Sequence, residues 1–211
     1  LILIPTYKEA LYILSPAFEA IIKSHYPKDK IILAVGFEQR DDPQKLQEVT
    51  DYLGKNMHRL AAVVTSIHPP DLPGEVPGQG TNKNWMIKQI LPKLKAMGIG
   101  VAQVYVTTLD ADFVIHRGFL AGSLHKYLST PAKERDRRSY TGVFLFHNNY
   151  WQTPTHMRLV ANGTSLWQLA EMVGSDKYIN YSSMSISLKA LVNIGLWFPD
   201  KVNDDSGFYW K

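Results

Sequence analysis

The feature that most constrains the fold is a regular alternation of short apolar runs and helical segments over the first 107 residues. The apolar runs are rich in β-branched residues, which is typical of strands that are buried on both faces. They are LILIP (1–5), KIILAVG (30–36), RLAAVVTSI (59–67) and VAQVYVT (101–107). This βαβαβαβ order predicts an α/β fold with a mostly parallel central sheet and helices on both faces.

Capping residues and helical periodicity set the expected helix boundaries in this first part. Ser15 followed by Pro16 predicts an N-cap and the first turn of a helix. A Gly-rich loop, PGQGTNKNW (77–85), leads into another helix, with Thr81 or Asn82 as its expected cap. The loop does not match the signature G-x-x-x-x-G-K-[ST], which argues against a P-loop NTPase.

The second part of the chain has a mixed pattern. Helices are expected near 117–128 and 157–173, and the apolar run YTGVFLF (140–146) predicts a further strand. The charged segment AKERDRRS (132–139) predicts an exposed loop, with contact to anionic lipid headgroups as the alternative. We expect both parts of the chain to be built onto one sheet.

The composition limits the class of protein. With 211 residues, 45% of them hydrophobic, the chain is long and apolar enough for one domain with a substantial core. Its 23 Lys and Arg residues against 19 Asp and Glu residues give a net charge of +4, which does not indicate nucleic acid. An anionic small molecule or a membrane surface fits this charge as well. The absence of cysteine excludes a disulfide framework and thiolate metal sites.

The ends of the chain suggest a larger context. No apolar run approaches the roughly 18 residues of a membrane-spanning helix, and no signal segment opens the sequence. The sequence nevertheless begins without Met inside an apolar run and stops where a helix is expected to continue. We therefore expect that it was excised from a longer protein, and that any membrane segment lies outside residues 1–211.

Two aspartates follow the fourth apolar run directly, in TTLDADF (107–113). The carboxyl ends of parallel strands are where such sheets bind ligands. In an extended segment Asp110 and Asp112 point the same way, so both can act on one cation. Oxygen ligands without His or Cys suit Mg²⁺ or Mn²⁺, which bridge to substrate phosphates. The alternative is that the two residues form a turn.

Polar clusters also follow the other strands, and together these segments carry a family resemblance. PTYKE (5–9) follows the first strand, FEQRDD (37–42) follows the second, and NDDSGFYW (203–210) lies near the end of the chain. With the Gly-rich loop and TTLDADF, they resemble family 2 glycosyltransferases of the GT-A type Rossmann-like fold, which are inverting enzymes with nucleotide-sugar donors. The resemblance covers nearly the whole chain. It implies a single catalytic domain with a nucleotide-sugar-binding half (1–113) and an acceptor-binding half (114–211).

The resemblance implies a donor site at the strand ends. LDADF is similar to the family's metal-binding D-x-D, which implies a cation at Asp112, with Asp110 nearer the ribose or the waters of the metal. Glu38 stands where the family usually has an Asp that contacts the base or ribose, so the identity of the nucleotide stays open. The residues expected against the nucleotide are Pro5, Thr6, Tyr7, Glu9, Glu38, Lys83, Asn84, Asp110 and Ala111.

The resemblance also implies a general base. NDDSGFYW is similar to the family's E-D segment, whose second acid is the base, and this assigns the role to Asp205, with Asp204 as the acid before it. Inverting transfer needs such a carboxylate to deprotonate the acceptor hydroxyl, opposite a neutralised diphosphate leaving group. The alternative for Asp205 is the N-cap of a last helix.

The acceptor is expected near HNNYWQTP (147–154). An apolar ring face on Trp151 and amides on Asn148 or Asn149 suit a sugar. Trp197, before the NDD segment, is a further candidate wall of the acceptor site. The alternative is that these aromatic residues belong to the core.

The leading hypothesis is a metal-dependent inverting glycosyltransferase with a nucleotide-sugar donor and a saccharide or lipid-linked acceptor. A UDP-linked sugar is the first candidate for the donor. A sugar-nucleotide pyrophosphorylase is an alternative, because GQGTNK (78–83) is loosely similar to a nucleotidyltransferase loop. A non-catalytic domain that binds nucleotides or sugars is another. The expected location is the cytoplasmic face of a membrane, where nucleotide sugars are made.

Overall fold

A computed structural model describes residues 1–146, 148–173 and 183–201. Within them a five-stranded sheet has the order β3-β2-β1-β4-β5. Strands β1 to β4 pair in parallel, whereas β5 runs antiparallel to β4. The strands are β1 (Ile2–Pro5), β2 (Ile32–Glu38), β3 (Ala62–His68), β4 (Tyr105–Thr108) and β5 (Ser185–Ser187). The predicted α/β fold with a mostly parallel sheet is confirmed.

Helices cover both faces of the sheet, as alternating strand side chains require. The α-helices are α1 (Leu11–Lys23), α2 (Pro43–Asn56), α3 (Gln79–Ala96), α4 (Phe119–Ser129), α5 (Ala132–Arg135), α6 (Thr155–Val173) and α7 (Leu188–Asn193). Ile2 and Ile4 of β1 face a core layer built with α1 and α2, whereas Leu3 faces a second layer built with α3 and α7. None of the helices in the described ranges is long and apolar enough to cross a membrane.

The start of α1 differs from the expectation. Ala10 is its N-cap and Pro16 lies inside the helix, so the predicted N-cap at Ser15 is wrong. Proline cannot donate a hydrogen bond to the carbonyl four residues earlier. That carbonyl belongs to Tyr12, an exposed residue near the first turn, where the loss is easily tolerated. The apolar residues of α1 therefore determine its length, rather than the local capping signal.

The helix that follows the Gly-rich loop also starts earlier than predicted. Gly78 is the N-cap of α3, and both Thr81 and Asn82 are buried inside the helix rather than capping it. The Thr81 hydroxyl donates to the carbonyl oxygens of Val76 and Gly78, at 3.3 and 2.9 Å. These contacts with the preceding loop extend the helix by one turn.

The strand predicted for residues 140–146 is wrong except at its first residue. Tyr140 forms an isolated antiparallel bridge with Ser185. Further along, the Phe144 N–H donates to Gln168 Oε1 at 3.0 Å, and Ser165 Oγ donates to the Phe144 carbonyl at 3.1 Å. Side chains of α6 thus satisfy the backbone groups that a neighbouring strand would have bonded. The segment predicted as an exposed loop, 132–139, contains the short helix α5.

Gly36 in β2 lets α3 approach the sheet closely. A Cβ atom placed on Gly36 would lie 2.3 Å from Asn82 Oδ1 and 2.5 Å from Met86 Sδ. Atoms cannot approach so closely, so a side chain at this position would displace the Asn82 and Met86 side chains and disturb the contact between α3 and β2. The contact holds the first turns of α3 beside the carboxyl end of β2.

This close contact makes a stability prediction. Gly36→Ala should lower the free energy of unfolding by about 1–3 kcal/mol, because the added methyl group overpacks the contact between β2 and α3. Gly54→Ala in α2 is the matched control, since a Cβ there meets no atom within 4 Å and alanine favours a helix. Urea unfolding of both variants measures the difference. An unchanged midpoint for Gly36→Ala would contradict the packing account.

Candidate functional site

The carboxyl ends of β1 to β4 lie at one edge of the sheet. Strand β1 pairs with β2 on one side and with β4 on the other, so the strand order reverses between β1 and β4. The chain leaves β1 through α1 on one face and enters β4 after α3 on the opposite face. Such a reversal leaves a crevice outside the strand ends, where open α/β sheets bind ligands.

The loop after β1 is closed by its own acidic residue. Glu9 Oε2 accepts hydrogen bonds from Thr6 Oγ1 at 2.8 Å and from the Tyr7 N–H at 2.6 Å. The Thr6 N–H donates to the carbonyl of Gly36 at 2.8 Å, which fixes the loop to β2. Pro5 and Thr6 are buried, whereas the Tyr7 ring reaches solvent. The loop therefore presents Tyr7 at the edge, with Glu9 as its support.

Tyr7 lies beside two cations. Lys8 Nζ is 4.9 Å and Arg40 Cζ is 4.6 Å from the centre of its ring. Lys8 has a φ of 70°, and its N–H donates to Asp41 Oδ2 at 3.0 Å. Burial opposes the ionisation of Asp41, but hydrogen bonds from Lys45 and from two backbone N–H groups outweigh it and hold the pKa of this carboxyl below its usual value. Asp41 therefore fixes the turn that carries Tyr7.

A buried polar network joins the ends of β2 and β3. The Glu38 carboxylate accepts a hydrogen bond from Asn82 Nδ2 at 2.9 Å and lies 3.3 Å from His68 Nδ1. His68 Nε2 is 2.9 Å from Glu75 Oε2, in the loop before α3. Both imidazole nitrogens can donate to these carboxylates only when the ring is protonated. At the edge of the sheet, the Glu38 carboxylate therefore already has polar partners in β3 and α3.

His68 and Glu75 in this network had no assigned role from the sequence, and Asn82 was predicted only as a helix cap. His68 pairs in register with Glu38, since both are the last residues of neighbouring strands. His68 directly follows the third apolar run, and a polar residue at that place was the available signal. Glu75 gave none, because only its contact with His68 brings it into the network. The position of Asn82 beside Glu38 depends on the packing of α3 against Gly36, which the sequence does not show.

The first turns of α3 contact the segment that leads towards the predicted general base. Asn84 Nδ2 donates to the Trp197 carbonyl, and the Trp197 N–H donates to Asn84 Oδ1, each at 3.0 Å. Lys83 is also buried, with Nζ 5.4 Å from the centre of the Trp197 ring. A donor contact by Asn84 would require this pair of bonds to open. Such a contact stays a prediction, as does the one assigned to Lys83.

Trp197 itself occupies a core position rather than the expected wall of an acceptor site. Its side chain is fully buried and packs in the layer that contains α3 and α7. In this conformation the ring has no exposed surface on which a sugar could stack.

The D-x-D segment after β4 forms a turn. The Phe113 N–H donates to the Asp110 carbonyl at 3.0 Å, so the expected extended geometry is wrong here. The Asp110 N–H donates to Ser183 Oγ at 3.2 Å, Ala111 is buried, and Asp112 is exposed. The turn and a metal-binding role are compatible, because Mg²⁺ needs only one or two carboxylates when phosphates and waters complete its shell. In the described part of the chain, no group of three or more His, Asp or Glu side chains could hold a metal.

The segment proposed for the acceptor lies against this turn. Asn148 Nδ2 donates to the Asp112 carbonyl at 2.8 Å. The carbonyl of Asn149 accepts from the backbone and side chain of the residues that follow, so this residue shapes a local turn. The Trp151 side chain is largely exposed and meets the Tyr150 ring edge-on, with the ring centres 5.2 Å apart. The structure thus brings Asn148 together with Asp112 and leaves Trp151 accessible.

Asp204 and Asp205 lie outside the described residues, so their roles stay predictions. The described segment before them is held in place from two sides. Besides the Asn84 bonds, the Val76 N–H donates to the Pro199 carbonyl at 2.8 Å. Residues 197–199 therefore lie next to the first turns of α3 and the loop that precedes them.

Comparisons with known proteins show the fold. No family model matches the chain, and no curated protein matches it in sequence. Among solved structures, residues 1–349 of TarS from S. aureus match with a TM-score of 0.51 and 14% identity, over 99% of this chain and 52% of that one. The same segment in complex with UDP matches with a TM-score of 0.51 and 13% identity, with the same coverage. Mouse xyloside xylosyltransferase 1, in its apo form, has a TM-score of 0.39 and 11% identity, over 92% of this chain and 69% of that one.

The match to TarS extends over this whole chain but over only half of its counterpart. The chain spans about half the length of the TarS segment. The shared architecture is a mixed α/β sheet of five strands, mostly parallel and flanked by helices. This architecture is the GT-A fold, which the family resemblance implies.

Proposed function

We propose that this chain transfers a sugar from a nucleotide-sugar donor to an acceptor hydroxyl. The observation that carries the proposal is the convergence of four polar segments at the carboxyl edge of a GT-A sheet. They are the loop after β1, the Glu38 network, the first turns of α3 and the turn after β4. The TarS segment of the same fold was solved in complex with UDP, which supports UDP as the first nucleotide to test.

The donor diphosphate is proposed to bind near the turn after β4, with Mg²⁺ or Mn²⁺. The exposed Asp112 carboxylate and the partly exposed Asp110 supply the oxygen donors that these cations prefer. A bound cation would neutralise the charge of the leaving diphosphate. Asn148 and Ser183 hold the backbone of this turn, so they orient both carboxylates without contacting the donor themselves.

The nucleoside is proposed to lie across the ends of β1 and β2. Tyr7 offers an exposed ring with Arg40 beside it, and Glu38 is buried at the end of the neighbouring strand. An aromatic face and a hydrogen-bonded carboxylate are suited to a base and a ribose. Thr6 and Glu9 stabilise the loop that carries Tyr7, because they hydrogen-bond to each other within it.

The acceptor is proposed to bind beside Asn148, Asn149 and Trp151, and Asp205 is proposed to deprotonate it. As the acceptor oxygen bonds to the anomeric carbon, the bond from that carbon to the phosphate oxygen breaks, and Asp205 takes the hydroxyl proton. The position of Pro199 beside the loop before α3 supports a base close to the donor edge. The exposed Trp151 ring supports a saccharide acceptor, free or lipid-linked.

The metal hypothesis predicts a conditional loss of nucleotide binding. Asp112→Asn should weaken UDP binding by about tenfold or more in Mn²⁺ but hardly change it in a chelator, because the carboxylate acts through the cation. Asp51→Asn, at an exposed position of α2, is the matched control and should bind like the parent. Isothermal titration with UDP in both buffers tests this. Equal affinity of Asp112→Asn and the parent in Mn²⁺ would leave these aspartates only a turn-forming role.

The base hypothesis predicts a separation of binding from transfer. Asp205→Asn should keep donor affinity within a few-fold while transfer falls by about 10²-fold or more, the usual scale for a lost acid or base. Asp204→Asn is the neighbouring control and should cost less. A helix-capping role instead predicts a loss of at most about 1 kcal/mol of stability for either change, with near-normal transfer at lower temperature. Equal and small losses of transfer in the two variants would place the base elsewhere.

A further inference from the structure

His68 is a buried imidazole with a carboxylate at each of its two ring nitrogens. Its Nδ1 is 3.3 Å from Glu38 Oε2, and its Nε2 is 2.9 Å from Glu75 Oε2. The Trp85 ring meets the imidazole edge-on, with the ring centres 5.9 Å apart, and so limits its rotation. Only 5% of His68 is exposed, and at this depth a polar group without partners is costly. The ring therefore ties the end of β3 both to the end of β2 and to the loop before α3.

This contact suits an imidazole better than another polar side chain. A ring with a proton on both nitrogens donates in two nearly opposite directions, so one side chain serves both carboxylates. A glutamine has its two N–H groups on a single nitrogen, and its oxygen would face the other carboxylate. The far carboxylate is itself held towards α3, because Lys88 Nζ is 3.8 Å from Glu75 Oε1. His68 is thus fixed from the Glu75 side and can act on Glu38.

The Glu38 end of this contact lies beside the surface proposed for the nucleoside. Pro5 of β1 pairs with Gly36 of β2, so Tyr7 and Glu38 each follow a paired position by two residues. Arg40 contacts both side chains, since its Nε is 3.6 Å from Glu38 Oε2 and its Cζ is 4.6 Å from the centre of the Tyr7 ring. The carboxylate that His68 contacts is therefore next to the exposed Tyr7 ring.

The partners of Glu38 determine the orientation of its carboxylate. Oε1 accepts a hydrogen bond from Asn82 Nδ2 at 2.9 Å, and Oε2 faces His68 and Arg40. A carboxylate can accept about four hydrogen bonds, so these partners leave capacity for a ligand. Positive charge on Arg40 and on a protonated His68 offsets the cost of burying this carboxylate, which is only 5% exposed. Without the His68 contact, Oε2 would lose its partner in β3.

We propose that His68 is a positioning residue of the donor site. Held by Glu75, it fixes the Glu38 carboxylate so that this group accepts a hydrogen bond from the donor nucleoside. The hydrogen bond comes from an N–H of the base or an O–H of the ribose, both of which a carboxylate accepts. This inference rests on the proposed sugar transfer, because it requires a nucleotide at the edge that carries Tyr7 and Glu38. His68 acts through Glu38 and does not contact the donor.

A double-mutant cycle on nucleotide affinity tests the proposal. Isothermal titration with UDP in Mn²⁺ compares the parent, His68→Gln, Glu38→Gln and the double variant. Each single change should weaken binding by about tenfold, the scale of one hydrogen bond to a charged group. The double variant should bind no more weakly than Glu38→Gln, because without that carboxylate His68 has nothing to position. The matched control is His58→Gln, an exposed histidine between α2 and β3, which should bind like the parent.

A second ligand identifies the hydrogen-bond donor. 2′,3′-Dideoxy-UDP lacks both ribose hydroxyls but keeps the base. If a ribose hydroxyl donates to Glu38, the parent and both single variants should bind this ligand equally. If the base donates, the losses measured with UDP should recur in full. Either result supports the positioning role, because in both cases the effect of His68→Gln follows that of Glu38→Gln.

Two results would overturn the inference while leaving the proposed sugar transfer intact. One is UDP affinity of His68→Gln equal to that of the parent, and the other is additive losses in the double variant. Either would make His68 only a structural contact between β3 and the loop before α3. A parent that binds none of UDP, GDP and ADP in Mn²⁺ would instead count against the inference and the proposed donor site together.

Thermal unfolding of each variant shows that the titrations are made on folded protein. If His68→Gln does not fold, Glu75→Gln takes its place in the cycle. This change removes the charge that holds His68 from the other side, so it should weaken UDP binding and show the same coupling to Glu38. Additivity between Glu75→Gln and Glu38→Gln would then overturn the proposal in the same way.

Discussion

The parallel pairing of β1 with both β2 and β4 is the constraint on which the rest of the structure depends. It places the residues after β1, β2 and β4 at one edge, although they are far apart in the sequence. It also sends α1 and α3 to opposite faces of the sheet, which opens a crevice between the strand ends. Gly36 has no side chain, so α3 can pack closely against β2 and lie beside that edge.

The buried contacts of α3 link the carboxyl edge of the sheet to the segment that follows α7. Asn82 reaches Glu38 on one side of the helix, and Asn84 bonds the backbone of Trp197 on the other. Side-chain amides buried in this way are costly unless their partners are in place, so they fix the relative position of the strands and the segment that follows α7. The residues that contact a donor would in this way be positioned together with the chain that carries the predicted base.

The sequence predicts the sheet better than the details of the site. Apolar runs and helical periodicity report burial directly, which is why β1 to β4 and α2 to α4 were predictable. The first turn of α1, the extension of α3 and the loss of the strand at 140–146 depend on tertiary contacts, such as the bonds between Phe144 and Gln168. The same limit applies to His68 and Glu75, whose roles arise only from the pairing of β2 with β3.

The most direct test of the account identifies the products that the chain forms from nucleotide sugars. The parent would be incubated with a panel of UDP-linked and other nucleotide sugars, saccharide acceptors and Mn²⁺, and the products analysed by mass spectrometry. The account predicts a nucleoside diphosphate together with a glycoside whose formation requires the acceptor, because the bond that breaks is the one at the anomeric carbon. With pyrophosphate in place of the acceptor, formation of a sugar 1-phosphate and a nucleoside triphosphate would contradict it and indicate a pyrophosphorylase. Nucleotide-sugar binding without any product would contradict it in favour of a binding domain.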